Sequence, residues 1–519
     1  MDNSQTSAMI RDLQRREIYS PVPDKVELVQ THASWVFLAG EYVYKVKKPV
    51  DFGFLDFSTP VKRRRYCQEE LRLNRRLARD YYLRVETVTQ REGRYFFGGE
   101  GRVVDYAVVM RRLPEKFLMR RLLEADELRP ERLTELVQLL AGFYAEARIF
   151  TDGRFGGREK VRFDVEENFT QTEKFIDDTI TARDFKKISE FSRDFLRRSG
   201  KLFVRRVREG AVREGHGDLH MEHICLVPGA PLVYDCIEFN QRFRRLDVVN
   251  DLAFLAMDLE ENNRFDLAAD FVEQCRQHLG SLFEPELLLF YKCYRAYVRG
   301  KVLSFLCADP SLDRSAKEQT CQRAARYFRL AAIYATPAPA GITLLAGVSG
   351  SGKSYLARAL SGLWGIRCLR SDLVRKELYG MLGESAAAPF GCGIYSPKAT
   401  QMTYRKLVEE AAATVAGGAS IIIDAANLKA EERFLFREVA RGAGVPLRLL
   451  VCRAPWPLLE RNLRHRAKLG VDASDADLEI ARQQRFEPPL PEELAAMSWI
   501  EIDTRQDLLE QIYLISRGR

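Results

Sequence analysis

The sequence predicts two unlike domains: an α+β domain upstream and an α/β domain with a doubly wound parallel sheet downstream. Three observations carry this. Before residue 335, strand-rich sequence gives way to long helical sequence. After residue 341, apolar strand-like runs alternate with helical segments. Between them the short uncharged run Thr336-Pro337-Ala338-Pro339-Ala340 reads as a linker. The expected division is a polar N-terminal segment over 1–24, an α+β domain over 25–335, the linker over 336–340 and an α/β domain over 341–519.

The upstream elements follow in order. Trp35–Leu38, Tyr42–Val46, Arg94–Phe97 and Tyr106–Met110 are β-branched or aromatic runs, with turns at Gly40-Glu41 and Glu92-Gly93. One helical stretch, about Lys62 to Leu77, interrupts them. From about 115 to 210 the pattern is helical. Residues 211–260 mix short strands with a loop, and 265–335 return to helices. Downstream, Ile342–Ala346, Ile366–Leu369, Ser420–Asp424, Leu447–Cys452 and Trp499–Ile502 are the expected strands of a parallel sheet covered on both faces.

Bulk properties narrow the function classes. The 519 residues exceed one ordinary core. No run of eighteen apolar residues occurs, which predicts no membrane partner, and Met1 to Glu17 carries no apolar stretch of the secretory kind. The ten cysteines form no C-x-x-C pair, which predicts reduced, mostly buried thiols and a cytoplasmic location. The net charge of +8 is spread along the chain. Local clusters (Lys45/Lys47/Lys48, Lys62 to Arg65, Arg242/Arg244/Arg245) suit a polyanion, so nucleic acid joins nucleotide phosphates as a candidate partner.

The strongest motif is Gly347-Val348-Ser349-Gly350-Ser351-Gly352-Lys353-Ser354, between the run 342–346 and a helix start at Tyr355. This is G-x-x-x-x-G-K-S in the strand–loop–helix context it needs. Gly347, Ser349, Gly350, Ser351 and Gly352 would turn backbone N–H groups onto a phosphate, Lys353 would reach the β- and γ-phosphates, and Ser354 would ligate Mg²⁺. Asp372, after the second strand, is the candidate base on an incoming hydroxyl, with Arg375 three residues on to hold an anionic acceptor. Asp424 and Asn427 end another strand and are candidate acceptor contacts. Arg461 and Arg466, with Arg464 between them, read as a lid helix that neutralises the transferring phosphoryl group. These residues are similar to the AAA_33-type P-loop kinases, including the polynucleotide kinases, and to gluconate-kinase-like and zeta-toxin-like enzymes. The chain has no N-K-x-D base reader, which argues against a GTPase.

Upstream, three of the six histidines lie in His216-Gly217-Asp218-Leu219-His220-Met221-Glu222-His223. The runs Asp235-Cys236-Ile237-Glu238-Phe239 and Asp251-Leu252-Ala253 follow. This resembles the aminoglycoside-phosphotransferase family of the protein-kinase-like fold, a bilobal fold with a small β-rich lobe first. The resemblance implies Asp218 as catalytic aspartate and His223 as a metal ligand, where the family has asparagine. It implies Glu238 as the second metal ligand, where the family has aspartate, with Asp235 a competing candidate. Asp251 would be structural. Lys45 would hold nucleotide phosphates and Glu70 would hold Lys45, with Lys47 and Glu69 as alternatives. A rival reading places zinc on His216, His220 and His223, which would share one face of a helix.

Together these readings predict a bifunctional enzyme that uses ATP and Mg²⁺ and passes the γ-phosphoryl to an unidentified hydroxyl acceptor. The alternative is a P-loop kinase, including a nucleic-acid 5′-hydroxyl kinase, whose upstream domain is catalytically silent and regulatory.

Overall fold

A computed structural model describes residues 3–310, 312–381, 393–469 and 478–518. The chain forms two compact units: Met1–Lys174 with Glu190–Leu259 and Asp270–Val298, and Phe175–Ser189 with Glu260–Ala269 and Arg299–Arg519.

The first unit is built on a six-stranded antiparallel sheet in the order Val26–Gln30, Ser34–Ala39, Tyr42–Lys47, Arg102–Arg111, Tyr82–Arg91, Arg94–Phe97. Strands 26–30 and 82–91 join the four expected from their aromatic and β-branched content. Strand 26–30 has no buried residue, and strand 82–91 interrupts its apolar positions with Arg84, Glu86 and Arg91, so neither reads as an apolar run. Helix Pro60–Asn74 packs on strands 82–91 and 102–111. Thr59 caps it by accepting from Lys62 N, and Pro60 sits in its first turn. The segment expected to be a mere polar tail is helical over Asn3–Leu13. Its Met9 and Leu13 are buried against Trp35, Phe37 and Tyr95 on the sheet, and Tyr95 N donates to Asp12. Polar composition hid this helix because one apolar face suffices for docking.

After the sheet come helices Pro130–Glu146, Arg158–Thr172, Ala182–Arg198 and Gly200–Arg208, then the short antiparallel pair Val212–Glu214 and Arg245–Asp247. The loop between these two strands carries the histidine-rich motif. Helix Val248–Glu261 follows and brings Asp251 beneath that loop.

The second unit holds a five-stranded parallel sheet in the order Arg367–Arg370, Ile421–Asp424, Ile342–Ala346, Leu447–Arg453, Ser498–Asp503. The observed strands fall within a residue or so of the expected runs. Ile342–Ala346 is central and wholly buried, as an unbroken apolar run in a parallel sheet should be. The linker 336–340 does not divide the units. Helix Arg314–Tyr334, expected upstream of the break, belongs with the parallel sheet. Arg326 pairs with Glu261 at 2.9 Å and Asp507 at 2.7 Å, and Arg329 pairs with Glu510 at 2.7 Å. These charges tie it to helix Leu508–Ser516, a long-range pairing that no local composition shift reveals.

Two of the expected reduced thiols differ from the rest. Cys307 and Cys321 form a disulfide between helices Pro285–Cys307 and Arg314–Tyr334, while Cys67, Cys225, Cys236, Cys275, Cys293 and Cys452 are buried thiols outside it. No helix among the described residues is long and apolar enough to cross a membrane.

Candidate functional sites

The upstream site forms where four segments meet. Lys45 and Lys47 stand two residues apart on one strand, so both side chains leave the same face. Both reach Glu70 on helix 60–74: Lys45 at 2.9 Å and Lys47 at 2.6 Å. They then diverge. Lys45 also meets Asp235 at 2.5 Å, whereas Lys47 is 1% exposed and meets Glu238. Burial disfavours the charge on both lysines, but the surrounding carboxylates outweigh it and raise their proton affinity. Lys45 keeps 16% exposure and is the lysine that a ligand can reach. Glu69 points elsewhere, to Arg72 and Arg244.

The histidine motif is held from below by Asp251. Its carboxylate accepts from the backbone N–H of His216 at 2.6 Å and of Gly217 at 2.8 Å, and from the Tyr144 hydroxyl at 3.1 Å. Gly217 is obligatory: its φ is +88°, and a Cβ there would lie 2.8 Å from the Phe243 carbonyl oxygen. This clamp presents Asp218. Its Oδ2 lies 3.3 Å from His220 Nε2 and 3.5 Å from His223 Nδ1. Asp218, His220 and His223 bring donor atoms within 4.8 Å of one another. His223 Nδ1 is 3.0 Å from the Asp218 carbonyl oxygen, which can only accept, so Nδ1 carries the proton. The Nε2 lone pair is then left facing Asp235 Oδ2 at 3.6 Å. Burial, then the His220 charge, lowers the proton affinity of His223, so its ring is neutral and able to ligate a metal.

Two expectations are corrected. Glu238, read as a metal ligand, is 7% exposed and engaged by Lys47; burial raises its carboxyl above the usual range. Asp235 occupies the place facing His223 and Lys45. Alternation along a regular strand led away from it, but Leu232–Val233 ends the strand and Asp235 has φ +61°, which breaks the two-residue period. Burial opposes the Asp235 charge, yet Lys45 and His223 hold its carboxyl well below the ordinary value. The three-histidine zinc face is also absent. Only a single turn, Met221–His223, is helical, and His216 turns its Nε2 to the Tyr234 carbonyl oxygen at 2.9 Å.

His216 is fully buried, and burial first, then the His223 charge, lowers its pKa to about 3. The unfolded chain would take up this proton near pH 6.5. Folded stability should therefore fall as pH drops from there toward 3, by up to about 1.4 kcal/mol per pH unit for this one group. Urea midpoints measured from pH 6.5 to 4 should fall more steeply in the parent chain than in His216→Gln.

The downstream site sits at the carboxyl end of the central strand. Gly347, Gly350 and Gly352 have φ of +141°, +81° and +89°. A Cβ at Gly347 would lie 2.4 Å from the Cys452 carbonyl oxygen, so the loop needs glycine there. Helix Lys353–Trp364 starts where the loop ends and points its N-terminus at the cradle. Lys353 Nζ donates to the Val348 carbonyl oxygen at 2.8 Å, curled over its own loop; burial lowers its proton affinity. Ser351 Oγ is buried without a hydrogen-bond partner among the described residues. Ser349 N donates to Gln484 Oε1 at 2.7 Å, a contact 135 residues away that sequence reading missed.

The acceptor-side expectations are partly relocated. Strand 421–424 lies beside strand 342–346 with Asp424 opposite Leu345, which sets Asp424 next to the loop. It hydrogen-bonds Ser354, is 4% exposed, and burial raises its carboxyl. It therefore lies under the phosphate site with Ser354. Asn427 is fully buried; its Nδ2 donates to the Leu345 carbonyl oxygen at 2.7 Å and its N–H to the Tyr404 hydroxyl at 3.1 Å. It braces the loop and is closed to an acceptor. Asp372 is half-buried and its carboxylate is 3.3 Å from Arg375, which also stacks on Tyr395 at 4.9 Å.

On helix Trp456–Leu469, Asn462 donates to the Gly350 carbonyl oxygen at 2.9 Å, and Leu463 would meet a Cβ at Gly350. Helical spacing adds Arg466 to that face, and its charge acts on Lys353. Arg461 and Arg464 are exposed off this face, and Arg464 pairs with Glu460 at 2.6 Å. Arg466, not Arg461, shares the helix face that meets the phosphate loop.

Residues 342–489 match the AAA domain family AAA_33. Uncharacterized protein Rv2004c of Mycobacterium tuberculosis (strain ATCC 25618 / H37Rv) is 31% identical over 470 residues, covering 89% of this chain and 90% of the relative. Uncharacterized protein Mb2027c of Mycobacterium bovis gives the same figures. Among solved structures, a sugar kinase from Janibacter sp. HTCC2649 is 20% identical with a TM-score of 0.27, covering 35% of this chain and 94% of that one. A choline/ethanolamine kinase family protein from Mesorhizobium loti is 13% identical with a TM-score of 0.33, covering 63% and 99%. With an AAA domain at its downstream end and a relative matched over nine-tenths of each length, the chain belongs to the family of the mycobacterial proteins Rv2004c and Mb2027c.

Proposed function

We propose that the chain is a two-site, ATP-dependent phosphotransferase, with one site in each unit. The observation that carries the upstream half is the convergence on Asp235. Lys45, itself paired with Glu70, meets one of its oxygens, and His223 beside Asp218 faces the other. A cation for phosphate oxygens, a metal-competent pair and a carboxylate base are thus gathered in a few ångströms. The bilobal kinase-like fold implied by the upstream sequence is the architecture in which this set has a purpose. In this reading Lys45 holds nucleotide phosphates, Glu70 orients Lys45, and Asp218 orients the acceptor hydroxyl and takes its proton. His223 and Asp235 would hold a divalent ion.

In the downstream site the glycine-built cradle, the partnerless Ser351 hydroxyl and the helix N-terminus fit a nucleotide triphosphate. Ser354 and Asp424 fit Mg²⁺, which when bound would neutralise charge on the β- and γ-phosphates. On phosphate entry Lys353 would leave the Val348 carbonyl for the anion. Asp372 would accept the acceptor's proton, Arg375 would hold an anionic acceptor group, and Arg466 would close over the transferring group.

Asp235→Asn and Glu238→Gln separate the two metal-ligand assignments. With Lys353→Ala removing the downstream activity, Asp235→Asn should lower upstream transfer from labelled ATP at least about 100-fold, the scale of losing one transition-state charge contact. Glu238→Gln should act mainly on stability, by breaking a buried pair worth about 3 kcal/mol. Transfer to a pool of hydroxyl acceptors, read beside a urea titration, checks both. The reverse pattern would restore Glu238 as the ligand.

A further inference from the structure

We infer that a cavity of about 380 Å³ in the first unit, walled by Arg148, Phe150, Phe155, Gln241, Arg245 and one acid, Asp152, which Arg154 pairs at 2.5 Å, binds an oxyanion-bearing ligand through Arg148 and Arg245. The basic cluster 242–245 divides once its contacts are known. Arg242 donates to Asp164 at 2.6 Å and to Glu167. Arg244 is buried and donates to Glu69 at 2.7 Å and to the Glu238 carbonyl oxygen at 3.2 Å. These two are consumed internally. Arg245 is not: its Nε is buried and has no hydrogen-bond partner among the described residues. Its ion-pair neighbour is Glu214 at 3.8 Å, and that carboxylate already lies within 4.0 Å of Arg72, Arg76 and Arg244. Glu214 is thus shared among four guanidinium groups, of which Arg72 and Arg244 also have Glu69.

Arg148 adds a fifth positive charge and forms no ion pair among the described residues. It stacks on Phe150 at 5.2 Å, and Arg245 stacks on the same ring at 4.7 Å and on Phe155 at 5.0 Å. Burial, with the Arg244 and Arg148 charges, lowers the proton affinity of Arg245 despite Glu214. Two like charges held on one aromatic ring beside an open cavity are stabilised by an anion that accepts from both forks, as phosphate and carboxylate do.

The placement gives the ligand a role. Arg245 lies opposite Glu214 in the ladder that leads into the Asp218 loop, and Gly215 N donates to the Arg244 carbonyl oxygen at 2.8 Å. The cavity wall and the base of that loop are one piece of backbone. Resting on the reading of Asp218 given above, an anion held here steadies the backbone that presents that carboxylate.

The test uses the full chain with saturating ADP, which fills the downstream cradle. Inorganic phosphate and citrate are titrated calorimetrically into the parent chain, Arg148→Gln, Arg245→Gln and Asp218→Asn, with melting curves as the control for folding. The parent and Asp218→Asn should bind at least one probe, and each arginine variant should bind it about tenfold or more weakly, the cost of a lost charged hydrogen bond. The tighter probe tells phosphate esters from carboxylates. Binding in Arg148→Gln, an exposed and foldable change, within twofold of the parent for both probes overturns the inference. Full turnover in Asp218→Asn with anion binding lost in Arg148→Gln overturns the catalytic reading and leaves the anion site standing.

Discussion

Lys353→Ala is expected to abolish the downstream activity, lowering single-turnover transfer from labelled ATP by about 100- to 1,000-fold, while leaving upstream transfer unchanged. The ammonium is the mobile charge of the cradle. It is partly buried and, among the described residues, bonded to the carbonyl of Val348 in its own loop, a contact it can exchange for a phosphate oxygen. Burial lowers its proton affinity, which makes its charge costly without an anion and the gain from phosphate correspondingly large. Loop shape does not depend on the lysine, because Gly347 against Cys452, Asn462 on Gly350 and Gln484 on Ser349 hold the backbone independently. The variant should therefore melt close to the parent and fail in nucleotide binding and turnover. Retained transfer at the parent rate would remove the P-loop from the chemistry.

Asp218→Asn should be the complementary lesion. In a Lys353→Ala background it should lower upstream transfer by about 100- to 10,000-fold, the range for loss of a positioned base. Asparagine keeps the shape, and the backbone around it is clamped by Asp251 from His216 and Gly217, so the loop should persist. Its effect should lie in kcat more than in nucleotide affinity, since in this account Lys45, oriented by Glu70, meets the phosphates and Asp235 would hold the divalent ion. Undiminished upstream transfer would favour the alternative in which this unit is regulatory.

The sequence made some of this legible and hid the rest for identifiable reasons. Ile342–Ala346 and the loop after it could be read because everything the cradle needs is contiguous: strand, glycines, lysine and helix start. Lys45 and Glu70 were found on separate elements through the resemblance, but Lys47 could not be separated from Lys45. Both lysines share a strand face and both reach Glu70; only Asp235 and Glu238, some 190 residues away, distinguish them. Asp235 itself was obscured by its own backbone, whose positive φ cancels the alternation that pattern reading relies on. Asn427 looked like an acceptor contact because it follows a strand end, and burial under Tyr404 is a tertiary fact. Arg461 and Arg466 looked equivalent as charges; the face set by Asn462 and Leu463 separates them.

The most direct measurement of the central claim is the stoichiometry of a nonhydrolysable ATP analogue on the full chain, by equilibrium dialysis with Mg²⁺ or Mn²⁺ present. Two equivalents should bind the parent. One should remain after Lys353→Ala and one after Lys45→Ala combined with Asp235→Asn. A single equivalent on the parent, lost entirely with Lys353→Ala, would contradict nucleotide use by both units.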